Sequence, residues 1–124
     1  MAESIGIDIT EIARIERLLD RYGDRFLGRI LGPDEQVIIS SRRDSTTFLA
    51  GRFAAKEAVI KALGEYLTDR PPLNSLQILN YQSGRPYLKL PDALAAKLAG
   101  IRILVSLSHE RNYAVGMAIC MEKK

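Results

Sequence analysis

The order in which hydrophobic patterns follow one another is the tightest constraint this chain places on its fold. A short strand pattern, Ser4 to Ile9, alternates apolar residues with small or polar ones. Helical patterns then run to Gly64, and from Leu76 onward strand patterns dominate. Strand, helices, then strands joined by short turns predicts an α+β fold, a mostly antiparallel sheet packed with helices. At 124 residues, with no linker, repeat or low-complexity tract, positions 1–124 read as a single domain.

Thr10 stands where a helix N-cap is expected, and Ile12, Ile15, Leu18, Leu19, Tyr22 and Phe26 mark one helical face. Arg14, Arg17, Arg21, Arg25 and Arg29 repeat one position earlier, so a basic stripe is predicted beside that face. Gly23 and Gly28 blur its end. Gly32-Pro33 is a breaker, and a second helix is predicted from Asp34 to about Ile39. A polar loop around Arg42 and Arg43 leads to a third helix, from about Thr47 to Leu63, stopped at Gly64. Strands are predicted at Leu76–Tyr81 and Pro86–Leu90, a short helix at Ala93–Ala99, and two more strands at Ile101–Ser108 and Tyr113–Met121.

Composition removes several function classes. Eighteen basic and 15 acidic residues leave a net charge of only +3, and aromatics are 6%, so no nucleic-acid stacking platform is expected. One Cys and one His are too few for a disulfide or a structural zinc site. Cys120 lies in an apolar run and reads as a buried, inert thiol. No apolar run approaches the ~20 residues of a membrane span, and the N-terminus lacks a secretion signal. A reducing cytoplasm is the expected setting.

The chemistry concentrates in Gly51-Arg52-Phe53-Ala54-Ala55-Lys56-Glu57-Ala58-Val59-Ile60-Lys61. On a helix, Phe53, Glu57 and Lys61 share one face. Glu57 then has two readings: a helix-stabilising pair with Lys61, or a carboxylate kept for a cation. Asp8 interrupts an apolar strand, where aspartate is disfavoured; it reads as a helix cap or as a second metal carboxylate. Magnesium takes one or two protein carboxylates and fills its shell with water and phosphate oxygens. Arg42, Arg43 and Arg52 are of the type that grips phosphate, against the plainer reading of a solvated surface. His109, behind Ser106 and Ser108, is either a turn residue or a functional one.

These residues together resemble the holo-(acyl-carrier-protein) synthases of the 4′-phosphopantetheinyl transferase family. The resemblance rests on Gly6-Ile7-Asp8-Ile9 with Thr10-Glu11-Ile12, on the helix Phe48 to Ala58, on Gly84-Arg85-Pro86, and on Ser106-Leu107-Ser108-His109 followed by Tyr113-Ala114. It implies transfer of the 4′-phosphopantetheine group of coenzyme A to a serine of an apo acyl carrier protein, releasing adenosine 3′,5′-bisphosphate, within fatty acid and lipid biosynthesis. It implies Mg2+ held by Asp8 and Glu57, with Lys61 stabilising or protonating the leaving group. Arg42, Arg43, Arg52, Gly84, Pro86, Ser108 and His109 are then the coenzyme A-binding positions, and Glu35 an acid able to orient a water. Arg14, Arg21 and Arg25 become the docking face for an acidic carrier, and a homotrimer with sites between subunits is implied.

The chain departs from the family in two places: the loop between Glu35 and Phe48, which carries Arg42 and Arg43, is short, and the loop after the signature helix differs. Where a glycine-rich loop is usual after the signature helix, it has Gly64-Glu65-Tyr66-Leu67-Thr68-Asp69-Arg70-Pro71-Pro72. The competing expectation is a non-catalytic module that binds nucleotide or an anionic protein through its arginines, without use of Asp8 or Glu57.

Overall fold

A computed structural model describes residues 3–123. The elements are β1 (Glu3–Glu11), α1 (Ile12–Tyr22), α2 (Asp24–Ile30), α3 (Pro33–Ser40), α4 (Ser45–Leu63), a 3-10 turn (Leu73–Ser75), β2 (Gln77–Asn80), β3 (Pro86–Lys89), α5 (Asp92–Lys97), β4 (Ile101–His109) and β5 (Tyr113–Glu122). The main sheet has the order β1-β5-β4, all antiparallel, and β2-β3 form a separate hairpin. The fold is α+β, as the order of patterns predicts.

The packing of α4 on the sheet decides the geometry of everything else. On β5, Ala114, Gly116, Ala118 and Cys120 face inward. On β1 the inward residues are Ser4, Gly6, Asp8 and Thr10. All are small or short, so the helix lies almost backbone to backbone against the strands. A Cβ on Gly6 would sit 1.9 Å from the Ala58 carbonyl oxygen, and one on Gly116 2.3 Å from the Ala55 nitrogen. From α4, Ala54, Ala55, Ala58 and Ala62 meet this face, each fully buried.

The consequence for β1 reverses the usual arrangement. A half-buried strand normally turns its large apolar residues inward. Here Ile5, Ile7 and Ile9 point away from the helix and are 61–65% exposed. Register continues that face onto β5: Ile5 pairs with Ile119, Ile7 with Met117 and Ile9 with Val115. Leu104 on β4 also pairs with Ile119. One side of the sheet is therefore covered by α4; the other is apolar across β1 and β5 and bordered on β4 by Arg102, Leu104, Ser106 and Ser108.

Two sequence expectations change. The first helical pattern is two helices, because Gly23 takes φ +56° and its N–H closes on the Leu19 carbonyl. Thr10 is the penultimate residue of β1, not an N-cap; the Ile12 N–H instead donates to the Asn112 carbonyl.

A buried ion pair fastens α3 to α4. Lys56 and Glu35, both with fully buried side chains, meet at 2.6 Å, and Lys56 Nζ also donates to the Ile30 carbonyl. Glu35 Oε1 accepts from the Gly32 N–H and Oε2 from the Ile78 N–H, each at 2.9 Å. Burial pulls the Lys56 ammonium below its ordinary value, and the Glu35 charge opposes that pull. Glu35 therefore joins α3, α4 and β2 and has no surface at which to orient a water, which corrects the role that the resemblance implied for it.

Candidate active site

The seam between β1 and α4 carries the first half of the site. Asp8 follows Gly6 on the helix-facing side of β1, with 19% of its side chain exposed. Thr10, two residues on and 3% exposed, donates its hydroxyl to Asp8 Oδ2 at 3.0 Å. Lys61 reaches across from α4, donating to the Ile7 carbonyl at 2.8 Å and lying 3.3 Å from Asp8 Oδ1. Glu57, one helical turn before Lys61, has 17% of its side chain exposed and meets Arg70 at 2.6 Å. The local Glu57–Lys61 pair expected from helical spacing does not form; each carboxylate takes a cation from another element.

The donor set suits a hard cation: two partly exposed carboxylates, each neutralised by a side chain of the chain itself, are sites that a divalent ion can take over. Among the described residues, no three His, Cys, Asp or Glu gather as a complete metal cage. Two carboxylates are enough only for an ion that finishes its shell on substrate phosphate and water.

The second half lies around the ring of Phe48. The guanidinium groups of Arg42 and Arg52 lie over that ring, 4.8 and 4.3 Å from its centroid. Arg42 grips Asp44 through Nε and Nη2, both at 2.8 Å, and this hydrogen bonding holds the Asp44 carboxyl below its usual range. His109 stands near enough for its charge to add to that effect. Arg52 is 5% exposed, and its Nη2 donates to Asn80 Oδ1 at 2.7 Å. Asn80 in turn donates to the Gly84 carbonyl at 2.8 Å, so Arg52 is tied to the β2-β3 turn, where Gly84 takes φ +94°. Arg52 Nε is buried without a partner among the described residues. Burial pulls this guanidinium below its ordinary value, with Glu35 opposing and Arg42 reinforcing the shift.

The family model described as the 4′-phosphopantetheinyl transferase superfamily matches residues 4–118, nearly the whole chain. The chain belongs to this superfamily. It is 40% identical over 119 residues to the holo-[acyl-carrier-protein] synthase of Protochlamydia amoebophila, covering 96% of this chain and 98% of that one. Among solved structures it is similar to the holo-[acyl-carrier-protein] synthase of Neisseria meningitidis, with TM-score 0.88, 33% identity, and 96% and 98% of the two chains covered. A synthase–coenzyme A complex from Chronobacterium ammoniagenes gives TM-score 0.84 at 29% identity, with both chains covered completely.

In this transferase, the structure gathers Asp8, Glu57 and Lys61 at one seam and Arg42, Arg52 and His109 around Phe48 and Asp44. Gly84 joins the second group through Asn80, and Pro86 begins the strand after that turn. Arg43 is exposed beside Arg42. Ser108 does not join His109. It pairs with Val115 on the open apolar side of the sheet, whereas His109 pairs with Ala114 on the helix side. Arg14, Arg21 and Arg25 are exposed, but the break at Gly23 puts Arg25 on α2. Arg25 and Arg29 border an open groove of about 790 Å³ whose floor includes Leu18, Tyr22 and Phe26 and whose far wall is Arg70 with Pro71-Pro72.

Three residues that hold the candidate site residues are not assigned to the site from the sequence. Thr10 was detectable, since a residue two after Asp8 on a strand shares its face. Asn80 and Arg70 carry no local signal: both contacts cross between elements, 28 and 13 residues apart.

Proposed function

We propose that this chain, as a holo-(acyl-carrier-protein) synthase, transfers the 4′-phosphopantetheine group of coenzyme A to a serine hydroxyl of an apo acyl carrier protein, with magnesium held by Asp8 and Glu57. Adenosine 3′,5′-bisphosphate is the leaving group. The observation that carries this reading is the seam of β1 and α4, where Asp8 meets Lys61 and the partly exposed Glu57 stands one helical turn before that lysine, in a chain of this superfamily. The likeness to holo-[acyl-carrier-protein] synthases over nearly the full length supports the substrate pair.

The chemistry asks little covalent work of the protein. The nucleophile belongs to the carrier, so the enzyme positions two substrates and offsets charge. When bound, magnesium would offset charge on the coenzyme A pyrophosphate and so ease departure of adenosine 3′,5′-bisphosphate. Thr10 fixes the Asp8 carboxylate in one orientation. Lys61, exposed at its tip and anchored on the Ile7 carbonyl, offers its ammonium to the departing phosphate. Glu57 is the carboxylate we assign to accept the serine proton, directly or through water. Arg42, Arg43, Arg52 and His109 hold the phosphorylated nucleoside end, with the Gly84–Pro86 turn beside them. The exposed arginines of α1 and α2 dock an acidic carrier along the groove.

A trimer with sites between copies accounts for two further observations. Ile5, Ile7, Ile9, Met117 and Ile119 form an apolar sheet face of the kind that marks a subunit interface. Ser108 lies on that face and His109 on the other, so a site using both is completed by a neighbouring copy. We place the reaction in fatty acid and lipid biosynthesis in the cytoplasm; among the described residues no helix is long and apolar enough to cross a membrane.

The deciding experiment incubates the purified chain with coenzyme A, magnesium and an apo acyl carrier protein, and records the carrier's intact mass. One added phosphopantetheine, lost with a chelator and in the folded variants Asp8→Ala and Glu57→Ala, is expected. No gain with several carriers would sink the transferase reading, and a gain indifferent to both substitutions would sink the metal assignment.

A further inference from the structure

We propose that Arg70 is a shared cation of the active site, neutralising Glu57 until a divalent ion arrives and then turning into the groove to meet the acidic partner. The inference rests on the metal assignment of the preceding section. Its starting point is the contact between Arg70 Nη2 and Glu57 Oε1 at 2.6 Å, across 13 residues of chain.

The bridge is built to exchange. Arg70 is 59% exposed along its side chain and Glu57 17%, whereas the Lys56–Glu35 pair is wholly buried and held by further bonds. A pair open to water on the arginine side is worth little and gives way to a stronger cation. The segment that bears Arg70 is equally free. Tyr66 and Leu67 still donate backbone hydrogen bonds to Leu63, but among the described residues no backbone–backbone bond involves positions 68–71. An open pocket of about 140 Å³ lies between the segment and α4, lined by Ile60, Leu63, Leu67, Asp69, Arg70 and Pro71.

Arg70 also has somewhere to go. With Arg25 and Arg29 it borders the groove of about 790 Å³. A carboxylate can be shared by an arginine and a metal only at the cost of repulsion between the two cations, so occupation of Glu57 by a divalent ion drives the guanidinium away. In the groove it raises the positive charge facing the partner. Metal loading and docking of an acidic carrier thereby favour each other, and linkage makes the coupling reciprocal.

The test uses Mn2+ as the probe, with coenzyme A present, and follows free Mn2+ by electron paramagnetic resonance. Arg70→Ala is expected to bind Mn2+ about two- to five-fold more tightly than the parent chain, the range for a bridge of this exposure. Arg70→Lys should fall between them, and Glu57→Gln should bind more weakly. Hydrogen exchange over 64–76 should accelerate in the parent chain when Mn2+ and coenzyme A are added, and should already be fast in Arg70→Ala without them. Equal or weaker Mn2+ binding by Arg70→Ala, or unchanged exchange, overturns the proposal while leaving the metal site standing. Mn2+ binding indifferent to Glu57→Gln, or no binding by the parent chain, overturns the metal assignment and this inference with it.

Discussion

Asp8, which faces α4, and Lys56, which α4 turns toward α3, show how differently two charged residues are used around one helix. Asp8 keeps a path to solvent, and its carboxylate is aimed by Thr10. Thr10→Val keeps the shape and removes the hydroxyl, so the carboxylate loses its orientation but the fold keeps its packing. Activity and Mg2+ affinity should fall about ten-fold, the lower part of the range for a residue that orients a metal ligand; steady-state rates across a magnesium titration measure this, and unchanged rates would remove Thr10 from the site. Lys56 has no path to solvent, and its removal leaves Glu35 charged and unpaired. Lys56→Met should cost about 3–5 kcal/mol of stability in urea unfolding. The double variant with Glu35→Leu should recover much of it, because the uncompensated charge is gone. Of these residues, Asp8 was legible because an aspartate within an apolar strand needs a reason. Glu57 was legible too, but its partner was not. Helical spacing points to Lys61, while the fold supplies Arg70, and no local rule weighs a bond across a loop against one along a helix.

At the scale of elements, periodicity located every strand and helix closely, because the patterns are long and punctuated by Gly, Pro or both. It failed at two points with physical causes. Gly23 broke one apparent helix into two, since its positive φ ends the first at a place where the apolar stripe runs on unbroken. Alternation along β1 announced two faces without saying which was inside, and the small face won because α4 needs close approach to Gly6 and Gly116. The break at Gly23 bears on docking: it splits the basic stripe, so that Arg25 and Arg29 of α2 border the groove while Arg14 and Arg21 stay exposed on α1. Arg14→Glu with Arg21→Glu should therefore raise KM for the carrier several-fold and leave coenzyme A binding unchanged. The effect should shrink as salt rises, as exposed charge steering does. Carrier kinetics that do not move at low salt would take α1 out of the docking surface.

For the whole molecule, the exposed apolar side of the sheet is the dominant unfinished feature. Ile7 sits at its centre, 61% exposed and paired with Met117. Ile7→Glu should convert the proposed trimer to monomers in light scattering and abolish transfer, while circular dichroism still reports a folded chain. An active monomer would mean that each site is complete within one copy. Nothing in the sequence alone could specify this surface, because its residues are the ones a reader assigns to the interior.

The close approach of α4 to the sheet has a last consequence, in the choice of ion. Asp8 and Glu57 hang from two backbones that touch through glycine and alanine, so the gap between them has little room to widen. Mg2+ works with oxygens at about 2.0–2.1 Å, and Ca2+ asks for about 2.3–2.6 Å and more ligands. A metal site proposed on so tight a seam would act as a gauge of ionic radius: Mn2+ should substitute for Mg2+ in the transfer assay, and Ca2+ should not.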